Sequence, residues 1–313
     1  MNLTQLRYFV RVCEAQSLSR AAALVRIAQP ALSRQVKALE QELGAELLLR
    51  QPWGVAPTPA GEVLLDQARN ILRQVEVARE AVRATEREPS GPIAVGAPSS
   101  IAAILFPPLL AALRDRHPKL RPQLIDELSG ALHQRTLRGE LDLAILHADR
   151  LTGVFSQAPL LSESVGLAAS PALAAGLSSP APDELSSLPM LVSTALNRSR
   201  LTLEALLKGK ELNIVAEVDC MPALLQMLAN GAGFALLPFS AVRGWVDRGA
   251  LAFVDLAYSE LRRELDVVRA VDRPASPSAD AVEALIRELV SGMQTEMRWT
   301  YHAPRKAASA MPG

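Results

Sequence analysis

The sequence predicts two modules of different fold class, a helical amino-terminal module and a larger α/β module. Residues 1–60 hold seven basic and four acidic side chains, a balance of +3, whereas the whole chain holds 33 of each sign. The amino-terminal module has the periodicity of compact helices separated by short turns, and the remainder alternates strand-like and helix-like runs. At 313 residues and 49% apolar composition, the chain can form two or three domains with buried cores.

The overall composition excludes several classes of protein. An aromatic content of 4% argues against a surface that stacks single-stranded bases. Two charge-poor stretches, residues 93–113 and 165–182, contain several prolines and glycines, so neither predicts a membrane-spanning helix. The two cysteines, Cys13 and Cys220, and a start without a basic segment leading into an apolar one predict a reduced, cytoplasmic protein.

Three short helices are predicted before residue 44. The first runs from about Thr4 to Ala15 and has an apolar face that includes Cys13, which we interpret as a core residue. The second follows Ser17 and Ser19, either of which is a suitable N-cap. The third begins at Gln29 and Pro30, since proline fits the first helical turn.

The third predicted helix has one apolar face and one polar face. Leu32, Val36, Leu39 and Leu43 recur at steps of 4, 3 and 4, so they lie on one side. Two short helices joined by a tight turn, the second with Gln, Ser, Arg and Lys facing outward, are typical of a helix that enters the DNA major groove. An ordinary solvated helix face is the alternative. The outward candidates are Gln29, Pro30, Ser33, Arg34 and Lys37.

A two-stranded wing and a long helix follow. The stretch after Gly44 is apolar and broken by prolines and Gly54, with Arg50 before the break and Thr58 after it. The long helix begins near Pro59 and repeats apolar residues at heptad spacing, which predicts a coiled-coil partner. Packing on its own chain is the alternative. The predicted dimerisation seam consists of Leu64, Ala68, Ile71, Val75, Ala78 and Val82.

The runs SLSRAAALVRIAQPALSRQVKALEQELGAELLLR and GVAPTPAG, followed by the long helix, resemble the amino-terminal domain of LysR-type transcriptional regulators. The resemblance implies a winged helix-turn-helix domain over residues 1–58 and a dimerisation helix over residues 59–88. It also implies base and backbone contacts by Gln29, Pro30, Ser33 and Arg34, and phosphate contacts by Arg50 and Thr58. Two features depart from the family pattern: Leu48 stands where the family usually has Phe, and Gln51, Pro52 and Trp53 occupy a wing tip that is often basic. IAQPALS, GVAPTPAG and ILRQVEVAREAV resemble the nitrogen assimilation control regulators within the family.

The remaining chain resembles the effector-binding domain of the same family, through GPIAVGAPSSIAAILFPPLLAALRDRHPKL, LRGELDLAIL and LLQMLANGAGFALLP. The resemblance implies the two-lobed α/β fold of periplasmic solute-binding proteins over residues 92–300. Lobe I would contain residues 92–161 and 268–300, and lobe II residues 162–267. Residues 301–313 are predicted to be a disordered tail.

Ligands in open α/β sheets bind beyond the carboxyl ends of the strands, which identifies candidate effector contacts. Ser99 and Ser100 follow the first strand and begin a helix, a suitable anion site, although Ser99 also fits a simple N-cap. His147 is also consistent with an ordinary strand-end residue, and Arg198 with an ion pair. The other candidates follow later strands: Ser129, Thr194, Cys220 and Phe234.

These features together predict a DNA-binding regulator with no cofactor. The four histidines are scattered, and no metal-ligand spacing, phosphate loop or nucleophile motif is present, so we expect no catalysis and no metal site. The expected partners are double-stranded DNA with an interrupted dyad, a small anionic effector, a second copy in a homodimer or homotetramer, RNA polymerase, and no membrane. Two alternatives remain: a constitutive or architectural DNA binder, and an enzyme of solute-binding fold fused to a DNA-binding domain.

Overall fold

The computed structural model describes residues 1–51, 54–84, 88–148, 155–194, 198–207, 209–256, 258, 261–270 and 276–303. The chain divides into two compact units, residues 1–87 with 138–140 and residues 88–137 with 141–313. Within the described ranges, no helix is both long enough and apolar enough to cross a membrane.

Three helices form the body of the amino-terminal unit: α1 (Leu3–Ala15), α2 (Leu18–Val25) and α3 (Gln29–Leu43). Asn2 caps α1 in a capping box with Gln5, which the sequence reasoning missed, and Ser17 caps α2 by accepting the Arg20 N–H at 3.3 Å. Gly44 ends α3 in the left-handed region at φ 65°. Phe9, Leu32 and Leu39 are fully buried between the three helices.

The predicted wing and long helix complete this unit. Strands β1 (Leu48–Gln51) and β2 (Gly54–Pro57) pair antiparallel, and α4 runs over Pro59–Ala84. Leu48, which stands where the family usually has Phe, is 7% exposed and packs in the helical core. An apolar residue of another size is therefore accommodated there. The wing-tip residues Pro52 and Trp53 lie outside the described residues, as do the side chains of Arg50 and Val82.

The second unit is built on a mixed sheet whose two longest strands serve both lobes. Strands β3 (Gly91–Ala97), β4 (Leu120–Asp126) and β5 (Leu143–His147) are parallel. Strands β6 (Phe155–Ala169) and β11 (Arg262–Ala270) pair antiparallel, and β11 lies between β5 and β6. Helices α5 (Ser99–Arg116), α6 (Ser129–Leu137) and α12 (Pro277–Met293) cover lobe I, and β12 (Thr300–Tyr301) pairs with β6.

Lobe II uses the second half of β6 and the elements between β6 and β11. Its strands β9 (Ala235–Pro238) and β10 (Ala252–Val254) pair with β6, whereas β7 (Met190–Val192) and β8 (Ile214–Glu217) pair with each other in parallel. Separate apolar clusters fill lobe I and lobe II. The elements are α7 (Pro171–Ala174), α8 (Pro182–Ser187), β7 (Met190–Val192), α9 (Arg198–Leu206), β8 (Ile214–Glu217), α10 (Met221–Ala229), β9 (Ala235–Pro238), α11 (Phe239–Val246) and β10 (Ala252–Val254).

Two predicted boundaries differ from the structure. Leu265 and Val267 pack in the lobe I core, so the chain returns to lobe I before Leu265 and not at residue 268. The predicted tail begins too early, because Tyr301 belongs to β12 and His302 N–H donates to Leu160 O at 2.9 Å. Residues 304–313 lie outside the described residues.

Candidate functional site

The outward face of α3 is the first candidate site. Burial of Leu32, Val36 and Leu39 fixes the rotation of this helix against α1 and α2. The opposite side is therefore presented to solvent: Gln29, Pro30, Arg34 and Lys37 are exposed and Ser33 is half-buried. Gln29 begins the helix and Pro30 lies in its first turn, and the N-cap residue Ala28 provides no capping side chain for the first-turn N–H groups. A cationic, amide-bearing helix start of this kind matches phosphate and base edges in a major groove.

Thr58 has a structural role that differs from the predicted phosphate contact. Its side chain is 8% exposed, Oγ1 donates to Glu46 O at 2.7 Å, and Oγ1 accepts the Gly61 N–H at 2.9 Å. A hydroxyl used in this way caps α4 and joins that helix to the chain before β1. The phosphate-contact prediction for Thr58 is therefore wrong for this conformation.

The predicted seam of α4 divides along its length. Ala68 is fully buried in a cluster with Leu6 and Val10 of α1, and Leu64 and Ile71 pack against the same cluster. Ala68 therefore contacts its own chain, and its assignment to a dimer interface is wrong. Val75 is half-buried and Ala78 is exposed, which leaves the later part of the seam open to a partner helix.

The second candidate site lies beyond the carboxyl ends of β3 and β4. Ser99 Oγ donates to Asp126 Oδ1 at 2.6 Å, so the first residue of α5 is tied to the end of the neighbouring strand. Ser100 is 6% exposed and accepts a hydrogen bond from Arg263 Nη2 at 2.8 Å. The two predicted serines are together, but each hydroxyl already has a protein partner.

A buried ion pair lies where the paired strands β6 and β11 run from one lobe to the other. We call this place the crossing. Arg263 Nε donates to Glu163 Oε1 at 2.6 Å, and the two side chains are 13% and 1% exposed. Trp299 Nε1 donates to the other carboxylate oxygen at 2.9 Å. Glu163 therefore has donors from β11 and from the segment after α12, and this satisfies the charge that burial would otherwise make costly.

Lobe II contributes a polar rim at the ends of β7 and β8. Thr194 donates to Asp219 from its backbone N at 3.0 Å and from Oγ1 at 2.9 Å. Arg200 of α9 donates to Glu204 and Glu217, and these hydrogen bonds raise the pKa of its guanidinium above its ordinary value. In this rim, the cation Arg200 is therefore already paired with the carboxylates of Glu204 and Glu217.

Comparisons with known proteins identify the family to which both modules belong. A family model described as the bacterial regulatory helix-turn-helix protein, lysR family, matches residues 3–62, and the LysR substrate binding domain model matches residues 86–293. The chain belongs to the LysR family of transcriptional regulators. The resemblance deduced from the sequence is thus confirmed, as is the combination of a helix-turn-helix domain with a two-lobed α/β domain.

Relatives of this LysR-type regulator match over nearly their full length. The nitrogen assimilation regulatory protein nac of Klebsiella aerogenes is 35% identical over 310 residues, covering 95% of this chain and 98% of the relative. The Escherichia coli K12 nac protein is 33% identical with the same coverage. A full-length OxyR variant from Pseudomonas aeruginosa has a TM-score of 0.70 at 26% identity, covering 93% of this chain and 95% of OxyR. CbnR complexed with its target DNA shares the fold, with a TM-score of 0.68 at 23% identity, covering 93% and 99%.

The other predicted effector contacts of this LysR-type regulator differ in exposure and in position. Phe234 is 3% exposed within the lobe II core, so its assignment as an effector contact is wrong. Ser129 begins α6 and His147 ends β5, both half-buried, and Cys220 is exposed before α10. Arg198 begins α9, but its side chain lies outside the described residues.

Several polar residues of the LysR-type regulator were missed from the sequence. Arg263, Glu163 and Trp299 meet at the strand crossing although more than 130 positions separate Glu163 from Trp299. Local patterns cannot pair such distant residues. One signal was present: Glu163 is a lone acid in the apolar run of β6, and buried acids almost always have a partner.

Proposed function

We propose that this LysR-type regulator binds an interrupted dyad through paired helix-turn-helix units and responds to a small effector that binds between lobes I and II. The single observation that supports DNA reading best is the exposed polar face of α3, whose Arg34 and Lys37 form no ion pair with any described residue. Gln and Arg side chains on such a face form paired hydrogen bonds with base edges, and Lys binds phosphate.

The proposed dimer forms by pairing of α4 helices from two subunits. A two-fold pairing of α4 helices through Val75 and Ala78 places two copies of α3 on one side of a dimer, as a dyad operator requires. We infer a homodimer that further associates into a homotetramer, works in the cytoplasm where the DNA is, and contacts RNA polymerase. Identity of 35% with a nitrogen assimilation regulatory protein supports genes of nitrogen metabolism as targets.

Effector control is proposed at the interlobe cleft. Ser99 and Ser100 lie at the start of α5, where N–H groups and the helix dipole favour an anion. Asp126 would have to release the Ser99 hydroxyl to such a ligand, whereas the Ser100 hydroxyl accepts from Arg263 and can still donate its own proton. Only an effector that binds two interlobe arrangements with different affinity can alter DNA binding.

The test combines two measurements on the full-length protein. Thermal unfolding against a panel of small carboxylic acids and amino acids should reveal a stabilising effector, because a ligand of the folded state raises the melting temperature. The same ligand should change affinity or bend angle on an operator fragment. Operator binding that no panel member alters, together with unchanged melting temperatures, would favour the constitutive DNA binder. Absence of operator binding would reject the DNA-reading assignment.

A further inference from the structure

The segment after α12, residues 294–302, contacts both lobes and the crossing between them. We name it the carboxy-terminal strap. Met297 and Trp299 are 7% and 5% exposed within the lobe I core. Thr300 and Tyr301 then form β12, which pairs with Ser162 and Leu161 of β6. The strap is therefore held to lobe I by buried apolar side chains and by strand pairing.

At the crossing, the strap reaches the two strands that connect the lobes. Trp299 Nε1 donates to buried Glu163, and Arg262 Nη2 donates to Thr300 Oγ1 at 2.8 Å. His302 Nε2 lies 3.1 Å from Ser162 Oγ, which also accepts Arg262 Nη2 at 2.6 Å. A change in the angle between lobes at this crossing would alter several of these contacts together.

The strap also contacts lobe II, through side chains on its outer surface. Arg243 of α11 forms an ion pair with Glu296. Arg298 pairs with Asp255 at 2.9 Å and places its guanidinium 3.9 Å from the ring centroid of Phe239. Arg298 has φ 54°, a left-handed conformation that non-glycine residues adopt at a cost, so these contacts hold a strained residue in place.

The two sets of contacts differ in strength. Buried apolar anchors and a hydrogen bond to a buried carboxylate are expensive to break. The two ion pairs to lobe II have exposed acids, since the Glu296 and Asp255 side chains are 53% and 62% exposed, whereas the Phe239 ring against Arg298 is buried. Exposed pairs contribute little each, so loss of one changes the equilibrium between joined and separated states by up to about fivefold.

From this asymmetry we propose that the carboxy-terminal strap is a reversible latch that sets the interlobe angle. It stays fixed to lobe I and the crossing, and it releases or holds α11 of lobe II. The regulatory meaning of the latch rests on the proposed function, since an effector in the cleft would act against it. The latch itself requires neither DNA nor effector, so it can be tested without them.

The experiment measures the distance between lobes in the full-length, ligand-free protein. Spin labels are attached at exposed Cys220 in lobe II and at Gln123→Cys on the exposed edge of β4 in lobe I. Buried Cys13 should remain unlabelled. Labelled subunits are diluted with unlabelled protein so that only distances within one chain are measured. Pulsed electron paramagnetic resonance then gives the distance distribution.

The charge-reversal series tests the contact between Arg243 and Glu296. Arg243 also pairs with Asp247 on its own helix at 3.3 Å, and Glu296→Arg is the variant that leaves this second pair in place. Arg243→Glu and Glu296→Arg should each broaden the distribution and add a longer component. The double variant Arg243→Glu with Glu296→Arg should return it towards that of the parent. Arg248→Glu is the matched control, because Arg248 follows the same helix but stacks on Trp245 and has no strap contact.

Three results would overturn the latch. The first is a distribution in Arg243→Glu identical to that of the parent. The second is equal broadening in Arg248→Glu, which would indicate a general charge effect. The third is a double variant at least as broad as the single variants while all of them unfold at the parent temperature. Failure of the DNA or effector proposals would leave these distances unchanged, so the two hypotheses fail separately.

Discussion

Arg263 donates a hydrogen bond from Nη2 to Ser100 Oγ at 2.8 Å, so β11 is joined directly to the first turn of α5. The same guanidinium neutralises buried Glu163. A side chain that holds both the candidate effector site and the strand crossing should be sensitive to substitution. We expect Arg263→Gln to lower the free energy of unfolding by about 3–5 kcal/mol, because it leaves a buried carboxylate without its cation.

Chemical denaturation of the full-length protein checks this prediction. Arg116→Gln is the matched control, because Arg116 pairs with Glu288 at the surface, where the two side chains are 50% and 57% exposed. Its cost should be far smaller than that of Arg263→Gln, because an exposed, solvent-screened ion pair contributes little to stability. Equal costs in the two variants would contradict the buried-pair interpretation.

DNA recognition by α3 is tested with Arg34→Ala and Lys37→Ala. Arg34→Ala should weaken operator binding by about 1–3 kcal/mol if it contacts a base, and relax the sequence preference at one position. Lys37→Ala should weaken all sequences alike and reduce the salt slope by about one unit. Fluorescence anisotropy at several salt concentrations measures both quantities. Lys210→Ala, which removes an exposed lysine of lobe II, should leave them unchanged; parent-like values in both α3 variants would reject this face.

Gly61 is required because α4 closely approaches the backbone of Leu47, the residue directly before β1. A Cβ at this position would lie 2.0 Å from the carbonyl oxygen of Leu47, a backbone atom that cannot move aside easily. We expect Gly61→Ala to destabilise the amino-terminal unit by about 1–3 kcal/mol or more. Gly292→Ala in α12 meets nothing within 4 Å and should instead stabilise by about 0.5–1 kcal/mol. Thermal unfolding of both variants measures these stability changes. An unchanged melting temperature in Gly61→Ala would show that α4 can shift away from Leu47 without cost.

Self-association through α4 is best tested at Ala78, because Ile71 packs against its own chain. Ala78→Asp should bury an unpaired charge in a partner interface and weaken the dimer, without destabilising the subunit. Sedimentation velocity over a concentration series measures the dissociation. Asn70→Asp adds the same charge to another side of the helix and should dissociate no more than the parent. A fully dimeric Ala78→Asp variant would place the interface elsewhere.

Cys13 should make stability depend on pH in the alkaline range. Burial raises the pKa of its thiol from 9.0 to about 11, with Arg69 lowering it and Glu14 raising it by smaller amounts. The unfolded chain loses this proton first, so stability is intact below pH 9 and falls as the pH rises from about 9 to 11, by at most about 2–3 kcal/mol. Cys13→Ala should unfold with a flatter pH profile than the parent over that range. Iodoacetamide at pH 8 should modify Cys220 and spare Cys13, and the reverse order would refute the burial argument.

The helical periodicities predicted most of the local structure. Leu32, Val36 and Leu39 fixed both the existence and the rotation of α3, because a helical face is a local property. Which surface an apolar face packs against is not a local property. Ala68 was therefore predicted to contact a partner helix, whereas it packs on α1 of its own chain. The capping bond of Thr58 is local, because Gly61 three positions later is the donor, but the bond from Oγ1 to Glu46 O spans 12 positions across the wing and could not be predicted.

The cleft was predicted less completely than the helix-turn-helix domain. The strand-end rule follows from sheet topology, and it places Ser99 and Ser100 directly after β3, beside Asp126 and Arg263; their contact with an effector stays a prediction. Arg263 and Glu163 could not be paired, since 100 positions and one complete lobe separate them. The prediction of Phe234 as an effector contact was wrong because the sequence alone does not distinguish an aromatic residue before a strand that faces the core from one that faces the cleft.

The position of β11 between β5 and β6 also determines when the second unit can fold during synthesis. Until residues 262–270 have left the ribosome, the lobe I sheet lacks an interior strand, and the edges of β5 and β6 have no pairing partner between them. Closing this gap requires a contact between Glu163 and Arg263, a long loop that slows folding. Growing chains should therefore contain a DNA-binding unit that is already folded, attached to an incomplete sheet that is prone to aggregation.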